Sequence, residues 1–382
     1  MKKKVGVIGG GQLAWMMAQV APEENIELWV QTPSPQDSAV SLASGVVYGR
    51  VDSVDATKEL AEKCDVITFE NEFVDLVELQ KLADQGVCFF PRLSSLSPLL
   101  DKYEQRCFYQ TQNLPVPQFS AYESEGDFAP FSFPLVLKAR RHGYDGQGTV
   151  IVKSADDLPQ ALADFAGTPL LIEEFIPFEK ELAVVIARSA TGEVKIYPTV
   201  ETFQDNQVCR WVIAPYELTA EQNKQVEAIA TKLVEALDYI GVLAIELFFT
   251  ATGEFLINEV APRTHNSGHY SLDACHTSQF ALQLQAVTGK PLGDVSLKSS
   301  GTVMVNLLGY ESSTDNYEEK RGAISALGDN IRLHWYNKTE SRVGRKLGHV
   351  TALIDVDKDQ DWYTIAGKTI EQIESIWYFN GN

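Results

Sequence analysis

The sequence predicts a mixed α/β and α+β protein in three parts: an N-terminal parallel α/β domain (1–95), a central domain (96–295) and a small β-rich C-terminal domain (296–382). Three observations predict it. Short apolar runs alternate with helical stretches over the first 95 residues, the pattern of a parallel sheet covered by helices. From residue 118 onward β runs and hairpin turns dominate, broken by one clear helix. A chain of 382 residues also exceeds what one ordinary core organises.

In the first part Val5–Ile8, Ile26–Val30, Val66–Phe69 and Val87–Phe90 read as strands. A helical stretch over Asp101–Gln112 follows and stops at Leu114-Pro115-Val116-Pro117. The central helix opens on a capping box, Thr219-Ala220-Glu221-Gln222, and carries Val226, Ile229, Ala230, Leu233, Val234 and Leu237 at helical spacing, with Gly241 as its stop. A second helix, near Ser278–Val287, ends at Gly289-Lys290-Pro291. After Thr302 come further strands, an acidic loop from Glu311 to Glu319, and a last helical segment beyond Asp361.

Hydrophobic residues make up 45% and charged residues 22%, as in an ordinary soluble enzyme. No run approaches the ~20 apolar residues of a membrane span. The start is basic and then apolar, but the apolar run stops at Gly9-Gly10-Gly11, too soon for a signal peptide. The cysteines (Cys64, Cys88, Cys107, Cys209, Cys275) are odd in number and scattered, which points to reduced thiols and the cytoplasm. A net charge of −20 disfavours nucleic acid and anionic membrane as partners. An acidic chain that handles anions must concentrate its positive charge locally.

Gly9-Gly10-Gly11-Gln12-Leu13-Ala14 follows the first strand and opens a helix, where backbone amides attract phosphate. A dinucleotide site would want an acid at the end of the second strand, yet Val30-Gln31-Thr32 stands there. A single phosphate is favoured over NAD. Thr68-Phe69-Glu70-Asn71-Glu72 ends another strand, where open α/β sheets place ligands, so Glu70 and Glu72 are either substrate contacts or solvated carboxylates. Lys138 ends the strand Leu135–Lys138 and precedes Arg140-Arg141-His142-Gly143-Tyr144-Asp145-Gly146-Gln147-Gly148-Thr149. Glycines there let amides approach an anion, as in a phosphate lid, and there is no Walker-type sequence.

Leu170–Ile172 runs into Glu173-Glu174-Phe175-Ile176, whose free backbone edge suits an adenine while Glu181 suits a ribose. The most specific signal is a hairpin. Strand Leu243–Phe249 turns through Thr250–Gly253 into Glu254–Glu259, which sets Phe249 against Glu254, Glu246 against Ile257, and Glu259 diagonally from Glu246. Two carboxylates beside the Asn258 amide in apolar strands call for a cation, and oxygen-only donors indicate Mg²⁺. Arg263-Thr264-His265-Asn266-Ser267-Gly268-His269 follows directly. His265 and His269 have the spacing of a zinc pair, but the glutamate of a zinc-peptidase motif is missing. Arg332, His334, Lys338, Arg342, Arg345, Lys346 and His349 form a basic island opposed only by Glu340, suited to clamping an anion.

In this order the motifs resemble the ATP-grasp superfamily, and within it the N5-carboxyaminoimidazole ribonucleotide synthases. The resemblance covers nearly the whole chain. It rests on Gly10–Leu13, Gly143–Gly148 and Asn258–His269, with His334–Lys338 and Gly344–His349 separating this family from its relatives. It implies a pre-ATP-grasp domain, an ATP-grasp domain with a lid at 139–149, and the β-rich C-terminal domain. By position it assigns Lys102, Lys138, Gly143 to Thr149, Glu173, Glu174, Phe175, Ile176, Glu181 and Asn258 to ATP, and Glu246 and Glu259 to magnesium. Glu259 counts with the ATP contacts as well. Gly10, Gly11, Gln12, Leu13, Glu70, Glu72, Tyr144, Asp145, Arg263, His265, Asn266, Ser267, Lys338, Arg345 and Lys346 fall to the aminoimidazole ribonucleotide. The chain departs from the family's common pattern at Ala14-Trp15, at Gln204 where a histidine is usual, and at Arg106, often lysine.

The resemblance further implies attack of bicarbonate on the γ-phosphate of ATP, then transfer of the carboxyl from carboxyphosphate to the exocyclic amine. Lys138, Arg263, His265 and Asn266 are the expected catalytic residues. A homodimer is expected on the same ground. Three rivals are a formate-dependent glycinamide ribonucleotide formyltransferase, which shares the ATP motifs but not the basic island, a nicotinamide-dependent oxidoreductase, weakened by Gln31, and a non-catalytic nucleotide-binding module, which needs no carboxylate pair for a metal beside a second anion site.

Overall fold

The structure, a computed structural model, describes residues 2–141, 148–356 and 361–378. The apolar runs of the first part form β1 (Lys3–Ile8), β2 (Ile26–Thr32), β3 (Gly45–Tyr48) and β4 (Val66–Phe69), a parallel sheet in the order β3-β2-β1-β4. The Val5–Ile8 half of β1 is buried, as expected of a parallel strand covered on both faces. Val87–Phe90 is not a strand: Phe89 makes one isolated bridge with Ile67, and Pro91 lacks the amide that continued pairing needs. β3 escaped notice because its four residues carry too short an apolar signal.

Next comes a small antiparallel sheet of β5 (Phe119–Tyr122), β6 (Leu135–Ala139), β7 (Thr149–Val152) and β8 (Leu170–Glu174), ordered β5-β8-β6-β7. The largest sheet follows, with β9 (Phe178–Arg188), β10 (Val194–Ile196), β11 (Val200–Asp205), β12 (Val208–Ala214), β13 (Gly241–Thr250), β14 (Phe255–Ala261), β15 (Gly301–Leu308), β16 (Ile331–Trp335) and β17 (Lys346–Ile354). Its order is β14-β13-β9-β11-β12-β15-β17-β16, with β10 beside β9. One ladder thus runs from the acidic hairpin to the basic island, crossing residue 295 through the β12–β15 pair.

Helices pack on this frame where their caps and apolar stripes direct. The Ala220–Ala236 helix starts at the Thr219–Gln222 capping box and buries Val226, Ala230, Leu233 and Val234 against β9 and β13. It ends at Leu237, ahead of the expected Gly241, which instead opens β13 at φ 129°. The Gln279–Thr288 helix is capped by Ser278 and closed by left-handed Gly289. Its Phe280, Leu284 and Val287 join the core beneath β1, while Leu282 and Ala286 join the core under β13, so this helix binds the first sheet to the largest. The final helix, Trp362–Tyr378, buries Ala366, Ile370, Ile373 and Trp377 over β15 and β17.

Candidate active site

β13 and β14 form the floor of the site. Gly253 takes a left-handed conformation (φ 84°), so the hairpin loop is one residue tighter than the sequence reading and sets Phe249 opposite Phe255. The register then shifts between Glu246 and Leu247: Leu247 faces Ile257, and Glu246 faces Glu259. Asn258 is the extra, bulged residue. The expected diagonal is therefore a direct cross-strand pair, which two like charges disfavour unless something neutralises them.

The pair is asymmetric. Burial, then Glu259 and then Glu181 push the Glu246 carboxyl up to about 7. Burial acts on Glu259 in the same direction but is outweighed by Lys102, whose Nζ lies 2.7 Å from Oε1, so Glu259 stays below the usual range. Asn258 Nδ2 donates to Glu246 Oε2 at 3.4 Å, and His265 Nε2 lies 3.6 Å from Glu246 Oε1. Among the described residues no group of three or more His, Cys, Asp or Glu side chains is arranged to hold a metal. A cation on this pair must complete its shell with ligand oxygens.

Behind the floor lies a buried ionic cluster. Glu173, at the end of β8, pairs with Arg106 Nε and with Lys138 Nζ at 2.6 Å. Burial alone would raise its pKa; Arg106 and then Lys138 hold it down at about 2. Lys138 Nζ also reaches Asn258 Oδ1 at 3.2 Å, and Arg106 Nη2 donates to the Asn258 carbonyl at 2.6 Å. The residue noted only for departing from lysine thus ties β8 to the bulge. Lys102 opens the Lys102–Thr111 helix, capped by Asp101, which also takes Arg140 Nε at 2.9 Å and Arg141 Nε at 3.3 Å. The double arginine is therefore bound to Asp101. Gly143, Tyr144, Asp145, Gly146 and Gln147 lie outside the described residues; Gly148 accepts from Ala139 N at 2.7 Å and Thr149 begins β7.

β8 is not an edge strand, contrary to the sequence reading, since β5 and β6 flank it. Glu174 is half-buried and accepts from Gln118 N at 2.7 Å. Backbone clear of the ladder begins at Phe175 and Ile176. Glu181 follows in β9, where burial lifts its carboxyl to about 7.

The glycine turn is occupied. Gly11, Leu13 and Ala14 donate their amides to Glu70 at 2.6, 3.0 and 3.4 Å, and a Cβ on Gly9 or Gly11 would fall 2.5–2.6 Å from that carboxylate. The helix start read as a phosphate cradle is capped by the chain's own glutamate; Gly10 packs on Thr32, and Gln12 begins the Gln12–Val20 helix. Glu72 instead takes Arg263 Nε at 2.8 Å, joining the first sheet to the 263–269 loop.

In that loop Asn266 is buried, its amide spent in a reciprocal pair with Asn306 of β15 (2.9 and 2.8 Å). Ser267 N and Oγ lie 3.3 and 3.0 Å from His265 Nδ1. The amide donates, so neutral His265 carries its proton on Nε2, toward Glu246. His265 and His269 are no metal pair: His269 is buried, with Nδ1 at Gln279. The basic island divides. His334 pairs with Asp273 at 2.8 Å and stacks on buried His349, while Arg332 and Arg342 are exposed. Lys338, Arg345 and Lys346 stay half-buried; Arg345 Nη1 is oriented by the Glu340 carbonyl at 3.0 Å. Tyr336 packs edge-on against Trp15, and its carbonyl accepts from Ser38 at 2.6 Å, which brings the island against the first sheet's helix.

Three family matches follow the chain in order: the ribonucleotide synthetase preATP-grasp domain at 1–98, the ATP-grasp domain at 107–280, and the phosphoribosylaminoimidazole carboxylase C-terminal domain at 302–360. An N5-carboxyaminoimidazole ribonucleotide synthase of Synechocystis sp. is 54% identical over 385 residues, covering 98% of both chains. One from Synechococcus elongatus is 50% identical, covering 98% of this chain and 95% of its own. Among solved structures, an ADP complex of an N5-carboxyaminoimidazole ribonucleotide synthetase superposes with a TM-score of 0.90 at 34% identity, covering 98% and 97%. The Aspergillus clavatus synthase in complex with ADP and 5-aminoimidazole ribonucleotide gives 0.89 at 29%, covering 98% and 99%.

Proposed function

Since the chain belongs to the N5-carboxyaminoimidazole ribonucleotide synthase family of ATP-grasp ligases, which carry out ATP-dependent carboxylation of 5-aminoimidazole ribonucleotide in purine biosynthesis, we propose how its residues divide that reaction. ATP lies over β13 and β14, with Lys102, Lys138, Gly148 and Thr149 at the phosphates, Phe175 and Ile176 at the base, and Glu181 at the ribose. The Glu246–Glu259 pair carries this reading, because two carboxylates facing each other across the ladder would hold a cation that offsets their charge and that of nucleotide phosphates. Mg²⁺ fits the oxygen-only donors and, when bound, supplies charge neutralisation at the phosphates.

Bicarbonate is the proposed carboxyl source. Its oxygen attacks the γ-phosphorus, ADP departs, and carboxyphosphate remains. Lys138, held between Glu173 and Asn258, follows the charge on the transferring phosphoryl group. Arg263 and His265 then hold the carboxyl beside the exocyclic amine, whose nitrogen attacks the carbon as phosphate leaves and the amine loses a proton. The ribonucleotide lies between the Gly10–Leu13 turn with Glu70 and Glu72, and the island of Lys338, Arg345 and Lys346. Because Glu70 already takes the amides of Gly11, Leu13 and Ala14, the 5′-phosphate is given to the island. A homodimer in the cytoplasm fits the family likeness and five cysteines without a disulfide.

The test is phosphate release from ATP and bicarbonate, with 5-aminoimidazole ribonucleotide or with glycinamide ribonucleotide plus formate. Stimulation by the first supports the assignment; stimulation by the second alone moves it to the formyltransferase.

A further inference from the structure

His265 is an extended residue (φ −132°, ψ 156°), so its N–H and C=O point to the same side, as in a hydrogen-bonded strand pair. Among the described residues no strand pairs with them. The fully buried side-chain amide of Gln279 does: His265 N donates to Gln279 Oε1 at 3.0 Å, and Gln279 Nε2 donates to His265 O at 2.7 Å. The same Nε2 stands 3.1 Å from His269 Nδ1, four residues on.

Gln279 is itself fixed. Its backbone N–H donates to Ser271 Oγ at 2.9 Å, and that hydroxyl donates to Gly268 O at 2.6 Å. Gly268 leaves the room: a Cβ there would fall 2.7 Å from Gln279 Oε1. With backbone and Nδ1 both held, the remaining freedom of the imidazole is small, and Nε2 is delivered to Glu246.

We infer that Gln279 is a positioning residue for carboxyl transfer, clamping the His265 peptide so that the imidazole meets the carboxylated intermediate. This rests on placing His265 at the carboxyl-transfer centre. Phosphoryl transfer uses Lys102, Lys138, Glu246 and Glu259, none of which Gln279 touches. Losing the clamp therefore separates the two half-reactions: ATP is still cleaved, but carboxyphosphate decomposes before the amine captures it.

The measurement is ADP formed per carboxylated ribonucleotide, with kcat and KM for each substrate, in the full-length enzyme. This ratio does not depend on the fraction of active protein, so partial misfolding does not move it. Gln279→Met keeps the volume and removes both hydrogen bonds to His265 together with the contact to His269 Nδ1; each buried group left unpaired is worth roughly ten- to a hundredfold. The expected result is a several-fold rise in ADP per product, with kcat for product falling more than KM for ATP changes. Gly268→Ala, which displaces the amide, should move the ratio the same way, and Gln279→Glu, which keeps the acceptor for His265 N–H, should lie between. An unchanged ratio in Gln279→Met and Gly268→Ala overturns the inference. If the wild-type enzyme itself shows no ribonucleotide-dependent ADP formation, the functional assignment fails instead.

Discussion

Glu246 and Glu259 face each other directly across β13 and β14 because Asn258 bulges out of the ladder between them. The bulge also turns the Asn258 carbonyl to Arg106 and its amide to Lys138 and Glu246. One irregular residue thus links the carboxylate pair to the ionic cluster behind it.

Glu246→Gln and Glu259→Gln should each fold and lose turnover by about 10²–10³, the effect of removing one transition-state contact. Steady-state ADP formation against Mg²⁺ concentration checks this. Wild-type rates in both variants would remove the cation from this pair.

Lys338→Ala and Arg345→Ala should lower kcat/KM for the ribonucleotide by ten- to a hundredfold, as expected for a charge-assisted hydrogen bond worth about 1.5–3 kcal/mol. Nucleotide affinity by direct titration should change little. Arg345→Lys should rescue in part, since a point charge cannot match a planar fork held by the Glu340 carbonyl. Weakened ATP binding with normal ribonucleotide kinetics would assign the island to the nucleotide.

Glu173 makes a prediction with a sign. Its pKa is depressed in the fold, so the stabilisation is full above its ordinary 4.5 and is lost as pH falls through about 2. Glu173→Gln leaves Arg106 and Lys138 uncompensated, a loss of about 3–5 kcal/mol for a broken buried pair. In denaturant melts across the acid range, the gap between wild type and variant should narrow toward low pH. A gap independent of pH would mean the pair contributes shape rather than charge.

Asn306→Ala strips Asn266 of both side-chain partners in a buried site, a cost of about 1–3 kcal/mol. Thermal melts should record the loss, and saturating Asn266→Ala on top should add little because the two act as one unit. Full additivity would show that the amides stabilise separately.

Much of this was legible in the sequence because local chemistry decided it. Capping boxes, the Gly289 stop and the β13–β14 hairpin all follow from residues within a few positions of one another. The register did not, because it depends on Gly253 adopting a left-handed turn and on the bulge at Asn258. Glu70 looked like a ligand contact, and only the folded sheet reveals that it satisfies the amides at Gly11 and Leu13. Gln279 and Asn306 carried no signal, and Arg106 only that of an arginine where lysine is usual, since their side chains act on partners 10 to 152 residues away.

The ladder from β14 to β16 has a consequence for how such enzymes can change. β12 meets β15 from Trp211–Val305 to Ala214–Thr302, so a cut before β15 would bare a row of unpaired amides and carbonyls along β12. Such an edge recruits other chains and aggregates. The C-terminal part of the sheet is therefore not a cassette that can be exchanged whole between sister ligases. Divergence toward another amine acceptor has to proceed by replacing individual side chains on a backbone both sites share.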